Sequence, residues 1–369
     1  MESMQALHAA NRAVLGEVGG LAVPLGYGDL AAEVEATRSG VGVLDLSACG
    51  VLGVRGADAA LFLNGVTTNH VKALPVGRGQ DNLLCATKGK ILHPVLIVRS
   101  KEDEFLLVSE PGDTEGVAAH VESYHVREDL RMGVTGLARL DLLGPGAGDA
   151  LTALGLAVPA PGIFTPNRRG ESPVLTLNWP LGSQPRLVLL LPPAAAAELA
   201  GTLLQRGGPQ ASAARLIGLE AWDEARIWAR VPRFGVDYGA EHLPAEAALY
   251  THIAFDKGCY VGQEIHARMH YRGHPNRKLV SVDLPEAAAA GMASGAALYH
   301  EGQPAGTLTS LARLARDLEF RQGRAPGRRG MAMIRYPLAT ANAALSPQPD
   351  AAPVIVTAPV ASDLGSARR

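Results

Sequence analysis

Cysteine is scarce in this 369-residue chain: there are three, Cys49, Cys85 and Cys259, and no two stand at Cys-x-x-Cys spacing. That excludes a disulfide framework and an intramolecular four-thiolate cluster site. A dominant charge is missing too. The 34 Lys and Arg against 36 Asp and Glu give a formal net charge of -2, so no global field draws the chain to nucleic acid or anionic lipid. Long apolar runs are absent: Leu187-Val188-Leu189-Leu190-Leu191 is strand-length, far short of the roughly 18 apolar residues of a membrane span. The first ten residues carry Glu2 and no apolar core, unlike a signal peptide. These absences predict a cytoplasmic globular protein with no membrane association.

The length admits two or three domains with substantial cores. Helical character over 31–39 is followed by strands at 41–47 and 51–54, with Asp58 placed to cap a helix over 59–64. Strands at 83–87 and 91–98 flank Lys88-Gly89-Lys90 as a hairpin; a strand at 105–108 and a helix over 114–126 come next. That order is the order of a ferredoxin-like α+β unit. A second such unit lies between Leu140 and Gln205, with strands at 136–143, 174–179 and 187–191 and helices at 146–154 and 194–205. Residues 211–230 read as helix. From Lys278 short strands at 279–284, 297–299, 306–309, 331–336 and 354–356, punctuated by Gly and Pro, predict a small β-barrel, with 358–369 a loose tail.

The chemistry centres on Lys257-Gly258-Cys259-Tyr260-Val261-Gly262-Gln263-Glu264. Two glycines leave the sulfur uncrowded, a lysine stands two residues before it, and a helix starting at Gln263 would aim free amides at it. Each favours a thiolate and so a reactive cysteine. The alternative from the residues alone is a buried cysteine in a glycine-rich turn.

This octapeptide, with one free position, resembles the signature of the YgfZ-type folate-binding proteins, relatives of the glycine-cleavage aminomethyltransferase. Arg268 and Tyr271-Arg272-Gly273 continue the resemblance. Asp45-Leu46-Ser47, Gly56-Ala57-Asp58-Ala59, Phe62-Leu63 and Thr67-Thr68-Asn69 are similar to the start of an aminomethyltransferase-type folate domain, and 304–310 to its C-terminal barrel. The resemblance implies an α+β cloverleaf: two interleaved ferredoxin-like units over 1–276 and a β-barrel domain over 277–369, with tetrahydrofolate as cofactor.

Four constellations bear on that reading. In the transferase the hairpin reads Gly-Gly-Ile-Leu-Asp-Asp, with an aspartate beside the folate nitrogen; here it reads Gly89-Lys90-Ile91-Leu92-His93-Pro94. Both carboxylates are gone, which speaks against aminomethyl transfer and leaves His93 as a solvated hairpin residue. In Glu220–Trp228, Trp222 falls where the family carries a folate-stacking tryptophan; Glu224 and Arg226 sit beside it, the arginine suited to a glutamate tail. The alternative is an amphipathic helix with core tryptophans. The family's Arg-Ile-Glu-Ala-Gly becomes Arg226-Ile227-Trp228-Ala229-Arg230. The alternating His266, Arg268, His270, Arg272 and His274 make either a basic collar or a solvated face, and lack the third ligand a metal needs. Arg313, Arg316, Arg321, Arg324, Arg328 and Arg329 read as a mobile loop able to make weak RNA contact, or simply solvated.

The resemblance therefore implies a tetrahydrofolate-binding protein that supports iron–sulfur cluster assembly or repair on client enzymes, and through them tRNA modification. Cys259 and Lys257 would carry the chemistry; Trp222, Glu224, Arg226, Gln263, Glu264 and Arg268 would bind cofactor. One thiol can only complete a transient cluster shared with a partner protein. The alternatives are a folate-dependent aminomethyl or one-carbon transferase and an RNA-binding accessory protein.

Overall fold

The computed structural model describes residues 3–205, 214–320, 323–340, 342–351, 353 and 355–360. The chain falls into two compact units, one of Met1–Leu84 with His93–Ala225, the other of Cys85–Leu92 with Arg226–Arg369. The sequence boundary at 276 thus moves: residues 226–276 go with the barrel. The physical reason is bonding, since Arg226 and Asp237 are tied to Ser310, and Leu279 N donates to Glu246 O at 2.7 Å.

The first unit is built on two sheets. The five-stranded one runs Arg78–Cys85, Ile91–Lys101, Glu104–Ser109, Val51–Arg55, Arg131–Val134. Helices Ala59–Val66 and Thr114–Glu122 cover one face, burying Phe62, Leu63, Val117 and Val121 against Leu52, Ile97, Phe105 and Leu107. The six-stranded sheet runs Phe164–Arg169, Ser172–Asn178, Arg186–Leu191, Ala138–Leu143, Val41–Asp45, Ala214–Ile217, with helices Ala147–Ala153 and Pro193–Gln205 on it. The opposite faces of the two sheets meet through Val51, Leu96, Val98 and Val108 against Phe164, Leu177, Val188 and Leu190. Strands buried on both faces read as continuous apolar runs, which is why Arg186–Leu191 looks the way it does.

Several expectations change here. The strand near Val41 belongs to the six-stranded sheet, paired antiparallel with Ala138–Leu143 and parallel with Ala214–Ile217. The helix placed over 211–230 splits into that last strand and the helix Leu219–Trp228, and 211–213 lie outside the described residues. Asp58 makes no capping bond; its Oδ2 accepts from Asp129 N at 2.8 Å. The hairpin Val14–Val18 with Leu21–Gly26 was not anticipated.

In the second unit the sheet runs Ala297–His300, Gln303–Leu311, Gly323–Arg335, Arg277–Pro285, Ile355–Ala358, Ala344–Leu345, and a bridge from Tyr299 to Ser346 nearly closes it. Val282, Leu298, Leu308, Ile334, Leu345 and Ile355 fill its core. The expected arginine loop is instead a hairpin, Arg316–Phe320 with Gly323–Arg335; residues 321–322, which include Arg321, lie outside the described residues. Three of its arginines have partners: Arg328 on Glu286, Arg329 on Asp283, and Arg316 with its Cζ 4.2 Å from the Trp228 ring centre. The α+β class with a C-terminal barrel stands. Val354 and 361–369, parts of the expected last strand and tail, lie outside the described residues. No helix among the described residues is long and apolar enough to cross a membrane.

Candidate functional site

The Lys257–Glu264 motif forms a tight turn leading into the helix Gln263–Arg272, as its glycines and the Gln-Glu pair suggested. Gly262 has φ +85, and a Cβ there would lie 3.0 Å from Ala86 O and from Gly89 Cα. Only glycine allows both that backbone and that approach. The motif thereby seats the hairpin tip 86–90, which belongs to the same unit. Gln263 closes the turn, its Oε1 accepting from Tyr260 N at 3.2 Å while its own N donates to Tyr260 O. Gly258 has open space around its Cα, so only one of the two glycines is sterically required.

His266, expected in a basic row, is buried. Its Nε2 lies 2.8 Å from Gly89 O and its Nδ1 3.3 Å from the Tyr260 hydroxyl. Burial lowers its pKa and raises that of Tyr260, so the neutral ring donates from Nε2 and accepts from the phenol. His270 stacks on Phe255 at 3.9 Å and His274 on Tyr336 at 4.6 Å. The alternation thus makes no common face. Glu264 and Arg268 are exposed. Among the described residues no group of three His, Cys, Asp or Glu is arranged to hold a metal ion.

Lys257 departs from its expected role as a fixed cation beside the thiol. Its side chain is buried, with Nζ 4.8 Å from the Tyr260 ring centre, and burial pushes its pKa down to about 7. Burial thus disfavours the charged amine near neutral pH, which weakens the assumed pull on Cys259. A folded pKa below the unfolded value of about 10.4 means the unfolded chain binds more protons between those limits. Lys257 therefore penalises folding at pH 7, less so as pH rises. Urea denaturation at pH 7 and pH 8.5 should show a smaller gain with pH in Lys257→Met than in the native protein.

Cys259 is exposed, whereas Cys49 and Cys85 are buried. Burial also pushes the Cys85 thiol up to about 12. Alkylation with iodoacetamide near neutral pH should therefore label Cys259 first, at least tenfold faster than the other two. Peptide mass mapping reads this, and equal labelling of all three would contradict the burial.

On the helix Leu219–Trp228, Trp222 is half-buried and Glu224 is buried. Arg226 is 1% exposed, its Nη1 donating to Asp237 Oδ2 at 2.6 Å and Nη2 to Ser310 Oγ at 3.0 Å. Its charge is used inside the fold, so the expected pairing with a glutamate tail is corrected to a structural role.

The first unit holds a group that sequence reasoning missed. His93 is half-buried, not a solvated hairpin residue. Its Nδ1 lies 2.9 and 2.8 Å from the two carboxylate oxygens of Asp113. His120 meets the His93 ring edge-on at 5.7 Å, and its Nε2 is buried with no hydrogen-bond partner among the described residues. Burial first, then His93, lowers the His120 pKa, so it stays neutral. Gly116 makes room, since a Cβ there would stand 2.9 Å from His93 Cε1. Asp113 precedes the helix Thr114–Glu122 but makes no capping bond to it, and that free position was the available signal. A carboxylate on Nδ1 fixes the proton there when the ring is neutral and leaves Nε2 as a proton acceptor.

Comparison with known proteins adds a family context. Residues 4–159 match the GCVT N-terminal domain family. The chain is 30% identical over 298 residues to an aminomethyltransferase of Symbiobacterium thermophilum, covering 75% of this chain and 76% of that one. It is 29% identical over 310 residues to an aminomethyltransferase of Desulfitobacterium hafniense, covering 82% and 83%. The glycine cleavage system aminomethyltransferase T of Bartonella henselae superposes with a TM-score of 0.82 at 21% identity, covering 96% of this chain and 95% of that one.

Proposed function

As the chain belongs to the aminomethyltransferase family, we propose that it is a tetrahydrofolate-dependent one-carbon transferase in which a His–Asp pair stands in for the hairpin carboxylate. The observation that carries this is the Asp113 carboxylate within 2.8 Å of His93 Nδ1. The loss of aspartate from the hairpin was the main sequence argument against transfer, and Asp113 supplies a carboxylate through the imidazole. One residue of the first unit suits a reduced folate in kind: Trp222 is half-buried on its helix, an aromatic ring of the type that stacks on a pterin. Trp222, in the same unit as His93 and Asp113, is the residue we assign to hold it; when bound, the folate would supply the amine that accepts a one-carbon unit. In this assignment His93 holds and returns a proton at Nε2, and Asp113 orients the ring and stabilises its cation.

The test is an assay of the purified protein with tetrahydrofolate and aminomethyl or N-methyl amine donors. We expect tetrahydrofolate-dependent release of ammonia with matching formation of a methylene folate from the aminomethyl donor, or of demethylated amine with matching formation of a methyl folate from the N-methyl donor, the transferred carbon keeping its oxidation level in each case. Absence of any folate-dependent product across both donor types would overturn the reading. A second reading, support of iron–sulfur clients and through them tRNA modification, rests on Cys259 being the exposed thiol of the three. It predicts that Cys259→Ser keeps folate turnover yet fails to restore client enzymes in cells lacking the native protein.

A further inference from the structure

The barrel unit contains a cavity that the transfer reading does not use. Its volume is about 520 Å³, and Arg277, Arg335, Thr307, Tyr238, Met333 and Glu241 are among the residues that line it. That volume lies within the roughly 300–1,000 Å³ of small-molecule sites.

Its charge arrangement is unusual for a purely structural surface. Arg277 and Arg335 are direct register partners on neighbouring antiparallel strands. Like charges placed directly opposite cost stability, and nothing in the strand pairing requires them. Arg277 is half neutralised: its Nε donates to Glu246 Oε1 at 3.1 Å, a carboxylate that also accepts from Leu243 N and lies 3.7 Å from Lys90. Arg335 is exposed and makes no hydrogen bond or ion pair with any described residue. Thr307, also exposed, likewise has no side-chain hydrogen bond among the described residues. The buried acid of the wall, Asp237, is taken by Arg226, Thr309 and Ser310. Glu241 stands at the rim, its side chain 67% exposed. What faces the cavity is therefore a set of donors against Tyr238, Met333 and Ala305, which supply apolar wall.

We propose that this cavity binds a small carboxylic acid anion with a short apolar body. Arg335 and the remaining N–H groups of Arg277 fork the carboxylate oxygens, Thr307 donates its hydroxyl, and the apolar wall takes the carbon chain. Planar guanidinium groups match carboxylate geometry through paired N–H bonds, so a carboxylate should be preferred over a tetrahedral anion of similar charge.

Calorimetric titration of the full chain with succinate tests this, with succinamide and sulfate as probes of charge and shape. We expect saturable succinate binding, at least tenfold weaker binding of sulfate, and none of succinamide. Arg335→Met should weaken succinate at least tenfold without lowering the melting temperature, and Glu241→Gln should strengthen it. Thr307→Val, a change of one exposed hydroxyl, should weaken it severalfold and guards against a folding defect at Arg335. No saturable succinate binding, an unchanged affinity in Arg335→Met, or sulfate binding as tightly as succinate would each overturn the proposal. Competition between succinate and tetrahydrofolate would also overturn it, because the cavity would then belong to the folate site; the transfer reading itself is judged by turnover alone.

Discussion

Arg226→Leu is expected to lower the free energy of unfolding by about 3–5 kcal/mol, as is typical when one partner of a buried ion pair is removed. The guanidinium is nearly inaccessible, and it neutralises Asp237, which is 2% exposed. Asp237 is the centre of a bonded group: its Oδ2 takes Arg226 Nη1 and Arg233 N, its Oδ1 the hydroxyls of Thr309 and Ser310. Leucine leaves that carboxylate buried with its charge uncompensated. Asp237→Asn in the Arg226→Leu background should return part of the loss, because the amide removes the buried charge while keeping an acceptor. Urea denaturation of the two single variants and the double variant measures this. If Arg226→Leu folded with native stability and lost only folate affinity, the side chain would be a ligand contact after all.

Local pattern carried most elements of the fold. The strand at 51–54, the helix from Gln263 and the barrel strands were legible because alternation, capping residues and glycine punctuation are properties of neighbouring residues. Pairing was not. The strand Val41–Asp45 looks local to the strand Val51–Arg55 just after it, yet its partners are Ala138–Leu143 and Ala214–Ile217, a choice made by the two-sided burial of the sheet. The arginines at 313–329 looked like a loop because their carboxylates, Asp283 and Glu286, lie some forty residues upstream. The site shows the same limit. The tight turn at Gly262 could be read from the motif itself, whereas the residues alone left Cys259 open between a reactive thiol and a buried one. The burial of Lys257 and Arg226 could not be read, since a charged residue's surroundings are set by the elements that pack over it. His93 was the largest miss, because its partner Asp113 stands twenty residues further along the chain.

The most direct test of a His–Asp pair in place of the hairpin carboxylate is folate-dependent kcat/KM in the native protein, His93→Gln and Asp113→Asn. A positioned general base typically contributes about 10²–10⁴-fold, so His93→Gln should fall by that factor. Asp113→Asn should fall less, by about 10–10²-fold, because the imidazole stays in place and loses only the carboxylate that orients it. Tetrahydrofolate binding, read by tryptophan fluorescence, should stay within a factor of about three in both, since neither residue is assigned to hold the folate. Native turnover in His93→Gln would contradict the account.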